Sequence, residues 1–536
     1  MLDFTLLPTE SIVRILSLLP PTDIGTCKLV SRYLLSTIQQ SLELQYSLEL
    51  DSHGFVPPLN PLNSLSLSQK VLALQKKFSF TEYPTQQDIT LSNRRFILDL
   101  PVNPNLRYSR GVLTVISRTL SIKQIEICQL ASRNKNTEYS LSVLHNIGIE
   151  ASDWRFDPDL DLLVLIEEVT PDDPNIYAES RFHLRSLSTG LSHPLASTPI
   201  IACPFGPLLY FETNFQIFGR LLAFTCRKRC HQENVFGMYI WDWITGELVS
   251  STAVVGQDFA FVSEDVFIVG ATHHNLAQFD IIGSLEVYTI RNILPGSPAR
   301  HIASLELPLA NDVSHSRCRF IITPPPPTPI NINGHPKVTT PKRIYELESR
   351  SRYLCLHITK IYRNYTTMAF SGQFKSLLLI PLSTIHPFSE GNYTSQPAFL
   401  RSIPWEDWAR GASWISGSLL DQQNYSVFGS RAAFLSPDSK EGLRVLLYDL
   451  SATVQGPMVN ELGSKYIGKK PDYLPSNALF VTSQTDTREL PMVASFLVPN
   501  VSEVIYSRSP NLVIDDEHVV IYERGLSGLM LTDYHI

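Results

Sequence analysis

Cys226, Cys230 and His231 form a Cys-x3-Cys-His run with Arg227, Lys228 and Arg229 among them, residue types that can hold zinc. A tetrahedral site wants a fourth ligand and often a second, paired cluster; neither stands nearby, so the run reads as a basic loop between strands. His273-His274 is equally isolated and reads as a loop. Pro404-Trp405-Glu406-Asp407-Trp408, with Trp414 beyond it, offers aromatic anchors and two carboxylates to a partner peptide, and so does Trp154 ahead of Asp157-Pro158-Asp159. Core packing is the preferred reading for these tryptophans. The sequence has no G-x-x-x-x-G-K-[ST], G-x-G-x-x-G, H-E-x-x-H or G-x-S-x-G. It is expected to be no enzyme and to need no metal or cofactor.

The chain has 536 residues, 43% of them hydrophobic and 18% charged, with a net charge of −7. That much apolar material packs a large core, and the length suggests at least two domains or one large repeat domain. Nothing resembles a basic stripe that would follow phosphates, so nucleic acid is not the expected partner. The start, Met-Leu-Asp-Phe-Thr-Leu-Leu-Pro, lacks the basic and apolar regions of a signal peptide, and no run approaches eighteen apolar residues. Seven cysteines suggest no disulfide framework. The expectation is a protein of the reducing cytosol or nucleus, with no membrane partner.

Residues 7–38 read as helices. Ile12, Ile15, Leu16 and Leu19 fall at i, i+3, i+4 and i+7, and Pro8-Thr9-Glu10 is a helix start with an acidic first turn. Pro20-Pro21 ends that helix, since proline lacks the donor and restricts the residue before it. Thr22 and Asp23 offer the next cap, and Cys27, Val30, Leu34 and Ile38 recur at helical steps. About thirty residues cannot bury a core alone. The apolar surface must be covered either by the following domain or by a partner.

Leu7-Pro8-Thr9-Glu10, Ile12, Ile15-Leu16, Leu19-Pro20, Asp23-Ile24 and Cys27-Lys28-Leu29-Val30-Ser31-Arg32 together resemble the F-box family. The resemblance implies a small all-α domain over residues 1–42 that binds a Skp-type adaptor and, through it, a cullin scaffold. It assigns adaptor contact to Leu7, Pro8, Ile12, Ile15, Leu16, Leu19, Ile24, Val30 and Leu34; the family usually has Trp or Phe where Leu34 stands. It also implies a substrate-receptor role in a ubiquitin ligase toward an unidentified protein substrate. The alternative is an interaction scaffold outside any ligase, with a vestigial or adaptor-only F-box.

Residues 43–91 are expected to form a linking region. Glu43 to Leu50 alternates like a strand that could close a ring with the C-terminal end, and Ser66 to Phe80 reads as an amphipathic helix. From about residue 92 onward short strands and turns dominate. Phe236 to Glu247, FGMYIWDWITGE, resembles the third strand of a WD-repeat blade with its Thr-Gly turn. Weaker copies run through Leu130, Leu187, Ile290, Leu382, Leu450 and Tyr522, roughly 50 to 90 residues apart. A Pro-rich loop insertion over about 323–342 fills the longest gap. The overall expectation is α+β multidomain: the small helical domain, then a large all-β domain over 92–536, a six- or seven-bladed β-propeller.

Overall fold

A computed structural model describes residues 7–78, 94–98, 105–116, 124–145, 147–169, 179–203, 215–227, 235–256, 258–272, 283–307, 316–323, 341–348, 352–363, 370–389, 402–409, 411–416, 425–438, 442–450, 492–498, 511–525 and 528–535. Five helices come first: α1 (Thr9–Leu16), α2 (Pro21–Val30), α3 (Arg32–Gln40), α4 (Leu42–Ser52) and α5 (Leu67–Phe78). Prolines set the first two starts, where a missing N–H costs nothing. Ser31 and Ser41 cap α3 and α4, each side chain accepting from the backbone N–H three residues on.

The segment 43–50 is a correction: it is helix α4, not a strand. Its leucines serve two faces of one helix. Leu44 and Leu48 pack with α1–α3, while Tyr46 and Leu50 pack on the opposite side with α5. Two apolar faces blur the helical period into apparent alternation. The predicted helix after it is confirmed as α5, with Val71 and Leu74 buried.

Among the described residues the remaining chain forms seven sheets of four strands in sequence order, one of them carrying a fifth strand. Successive sheets are faced by seven apolar layers, from Trp154 and Leu165 between blades 1 and 2 round to Leu113, Leu130 and Val520 between blades 7 and 1. This is a β-propeller. Its blades occupy 105–145, 151–203, 215–255, 258–306, 316–416, 425–498 and 511–535.

Ring closure comes from β2 (Arg94–Leu98), which pairs antiparallel with Gly528–His535 as the outer strand of blade 7. The expected marker strands fall where the repeat predicts: six are third strands of their blades, while His518–Gly525 is the second strand of blade 7. Thr245-Gly246 makes the turn after the WD-like strand. Gly246 has φ +77°, and a Cβ there would collide with Thr198 of blade 2. On blade 4 the extra strand Ser402–Ile403 covers the outer edge, where an open row of N–H and C=O groups would invite pairing. The proline run lies outside the described residues, and so do Cys230, His231 and His273-His274.

Polar bonds tie each blade to the next. Arg107 pairs with Asp153 at 2.6 Å across blades 1 and 2, Arg155 donates to the Phe215 carbonyl at 3.3 Å, and Gln216 binds the backbone of Phe259 and Phe261. Asp258 accepts from the Ile322 amide at 2.6 Å, and Tyr353 donates to the Leu450 carbonyl at 2.6 Å. Ser426 accepts from the Ile514 amide at 3.1 Å. The circuit closes where Tyr108 of blade 1 donates to Asp515 of blade 7 at 2.5 Å.

At that seam His518 is a buried imidazolium. Its Nδ1–H faces Asp515 at 3.1 Å and its Nε2–H donates to the Ala131 carbonyl at 2.9 Å. Burial alone would lower its pKa, but Asp515 outweighs this and the value rises to about 10; the bonds to Asp515 hold that carboxyl well below its usual range. The signs set a pH window. The His518 contribution is complete below its unfolded pKa near 6.5 and is lost as pH rises through about 10, whereas the Asp515 contribution is lost as pH falls below about 4. Asp515→Asn should therefore destabilise the ring by about 3–5 kcal/mol near pH 6, as loss of one partner of a buried pair does. In thermal unfolding the gap to the parent protein should narrow steadily toward pH 10; a constant gap would contradict the assignment.

Candidate functional site: an exposed apolar face and its mounting

The helical domain sorts its apolar residues sharply. Ile12, Leu16 and Ile24 are buried with Ile38 and Leu44, and Leu19 and Leu34 lie half-buried against them. Four helices sharing α4 thus bury a small core that thirty residues alone could not. Of the nine residues assigned to adaptor contact, Ile12, Leu16 and Ile24 are interior and act by shaping the domain. Leu7, Pro8, Ile15 and Val30 are at the surface.

Two further residues stand out. Leu18 is 82% exposed in the turn after α1 and Leu29 is 88% exposed near the end of α2, beside Val30 at 69%. Ile15 and Leu7 are 41% and 40% exposed. Five large apolar side chains are exposed within 24 residues, Leu7 to Val30, a concentration that a solvated surface does not favour. Leu29 was legible in principle, because it stands where the polar side of α2 belongs. Leu18 follows three residues after Ile15, in the turn beyond the helix.

The mounting of this face is equally specific. Strand β1 (Phe55–Val56) pairs antiparallel with Glu346–Leu347, part of a strap, residues 341–348, that blade 5 sends out between its first two strands. Arg343 exchanges backbone bonds with Asn60 and Leu62 at 3.0 and 2.8 Å, and the Glu348 amide donates to the Gly54 carbonyl at 2.9 Å. Ile344 and Tyr345 enter the apolar core of α4 and α5 beside Leu50, Phe55, Leu62 and Leu74.

On its other side the strap rests on the propeller. The Asn134 carboxamide oxygen accepts from the Ile344 and Tyr345 amides at 2.9 and 3.1 Å, and its nitrogen donates to the Tyr345 carbonyl at 3.3 Å. The loop that carries Asn134 is itself gripped by Glu517 of blade 7, whose carboxylate accepts from the Arg133 and Asn134 amides at 2.9 Å and from the Ser132 hydroxyl. Asp159 of blade 2 gathers Arg110, Lys135 (3.2 Å) and the strap's Arg343. Burial, with Arg343 and Arg110 close by, lowers the Lys135 pKa to about 8, while burial raises that of Glu346, which accepts from the Leu59 amide at 3.2 Å. A cavity of about 30 Å³ beside the strap, lined by Arg110, Lys135, Arg343 and Arg352, has room for one or two waters. Among the described residues no group of three or more metal-ligating side chains converges.

Trp154 and Trp408 are interior, as core packing requires. Trp154 donates to the Thr114 hydroxyl at 2.9 Å and Trp408 to the Glu306 carbonyl at 2.9 Å. Cys226 lies on a strand of blade 3, paired opposite Gly237. No helix among the described residues is long and apolar enough to cross a membrane.

Residues 4–44 match the F-box-like family model, so the chain carries an F-box-like domain ahead of its β-propeller. F-box domains in general bind Skp-type adaptors, and an F-box joined to a β-propeller fits an F-box substrate receptor in general terms. No curated protein matches the chain. Among solved structures it is similar to Hsv2 of Kluyveromyces lactis, at 8% identity and TM-score 0.33 over 77% of this chain and 86% of that one. It is also similar to the β-propeller domain of the Trilobed protease from Pyrococcus furiosus, at 9% identity and TM-score 0.33 over 82% and 95%.

Interior and surface residues of the helical domain should respond oppositely to substitution. Leu16→Ala should cost about 2–4 kcal/mol of its stability by cavity formation. Leu29→Asp should change stability by less than about 0.5 kcal/mol, as surface substitutions do. Chemical denaturation followed by circular dichroism near 222 nm distinguishes the two.

Proposed function

We propose that this chain is the substrate-receptor subunit of a Skp–cullin–F-box ubiquitin ligase. The observation that carries the reading is the exposed apolar set Leu7, Ile15, Leu18, Leu29 and Val30 on a domain that matches the F-box-like model. Covering a leucine as exposed as Leu18 or Leu29 yields about 1.5–3 kcal/mol, so a few such anchors support a stable interface. The protein performs no chemistry itself. It raises the effective concentration of a bound protein's lysines beside a separate conjugating enzyme, and the propeller supplies the second binding surface. Work of this kind is done in the cytosol or nucleus, where the adaptor and cullin reside.

The double substitution Leu18→Asp/Leu29→Asp should weaken binding to a purified Skp-type adaptor at least about 100-fold in calorimetry, through two lost apolar anchors. It should also remove cullin from affinity-purified material. Proteins that accumulate on the parent chain under proteasome inhibition should persist on the variant, because they bind the propeller. Unchanged adaptor affinity would overturn the docking face. Adaptor without cullin, and no proteasome-sensitive partner, would favour a scaffold outside any ligase.

A further inference from the structure

Helix α4 belongs to two cores at once. Leu44 and Leu48 pack with α1–α3, and Tyr46 and Leu50 pack with α5 and the strap residues Ile344 and Tyr345. The Tyr46 hydroxyl donates to the Ile344 carbonyl, across 298 residues of chain. The direction in which the F-box points is therefore set by how the strap holds α4. The strap in turn has few degrees of freedom. Its Ile344 and Tyr345 amides meet the Asn134 side chain, the Ile344 amide also reaching the Asn134 carbonyl at 3.1 Å, and its Arg343 meets Asp159.

We infer that residues 341–348 are a rigid coupler, with Asn134 and Arg343 as positioning residues that fix the orientation of the F-box relative to the propeller. Asn134 is only 3% exposed, so an undocked strap would leave both its own amides and this carboxamide to find new partners. Arg343 and Asp159 are 12% and 8% exposed, and separating them strands charges in a poorly solvated place. Docked, the strap amides meet Asn134, Arg343 lies against the Asp159 carboxylate, and β1 gains a strand neighbour. Mounted only through the chain between α5 and β2, the helical domain would have no such constraint. The consequence for function rests on the receptor reading above: a fixed mount holds the bound substrate at one distance from the transfer site rather than a range.

The test is the distance distribution between spin labels carried on unnatural amino acids at the exposed positions Thr26 and Glu247, which leaves the native cysteines in place. The full-length protein should give one narrow peak. Asn134→Ala should broaden it at least about twofold and raise hydrogen exchange at the Ile344 and Tyr345 amides. Arg343→Met, made on the strap itself, should do the same should Asn134→Ala disturb its own loop. Adaptor affinity should move by less than about twofold in both, since the docking face is untouched. A peak as narrow as the parent's in both variants overturns the coupler. Broadening in the variants of a protein that fails to bind adaptor at all leaves the coupler standing and defeats the ligase reading instead.

Discussion

Two backbone amides of a short strap meet one buried carboxamide, Asn134, and most of the architecture can be traced outward from that contact. Inward, the Asn134 loop is fixed by Glu517, whose neighbours Asp515 and His518 seal the last blade to the first. Outward, the strap completes a core with α4 and α5, and α4 carries the F-box. A closed ring and an oriented helical domain thus share one continuous set of bonds. Each is expensive to break because the groups involved are buried, where an unpaired donor or charge finds no water to replace its partner.

The propeller is legible in the sequence because its repeat is written in strands that end on a turn. FGMYIWDWITGE carries the whole pattern: alternation, an aspartate whose carboxylate accepts from the Ile244 amide at 3.0 Å, and a glycine in the turn at φ +77°. The repeat spacing allows six or seven blades, because blade 5 is interrupted by the strap and the Pro-rich run, which set its third strand far along the chain. Glu43 to Leu50 alternates because α4 is apolar on two faces, and nothing local distinguishes that from a strand; the true closing strand, Arg94–Leu98, has little apolar alternation to betray it.

The helical domain is legible in the sequence as a class and less so by residue. Periodicity finds the apolar stripe of a helix, and in a domain this small the stripe divides between an internal core and an external face. Ile12, Leu16 and Ile24 satisfy the period and turn inward, while Leu18 and Leu29 depart from it and turn outward. Ile15 and Val30 satisfy the period and are nonetheless exposed, so the period alone does not separate the core from the exposed set. The mounting was beyond reach, since Asn134, Asp159 and Arg343 are far apart in the chain and ordinary in composition.

The central claim is that one chain bridges an adaptor and a propeller-bound substrate without catalysis of its own. Reconstitution from purified full-length chain, Skp-type adaptor and cullin, followed by light scattering on a sizing column, tests it most directly. The account predicts a single species containing one copy of each. A chain that elutes apart from the adaptor, or with adaptor but never with cullin, would contradict it.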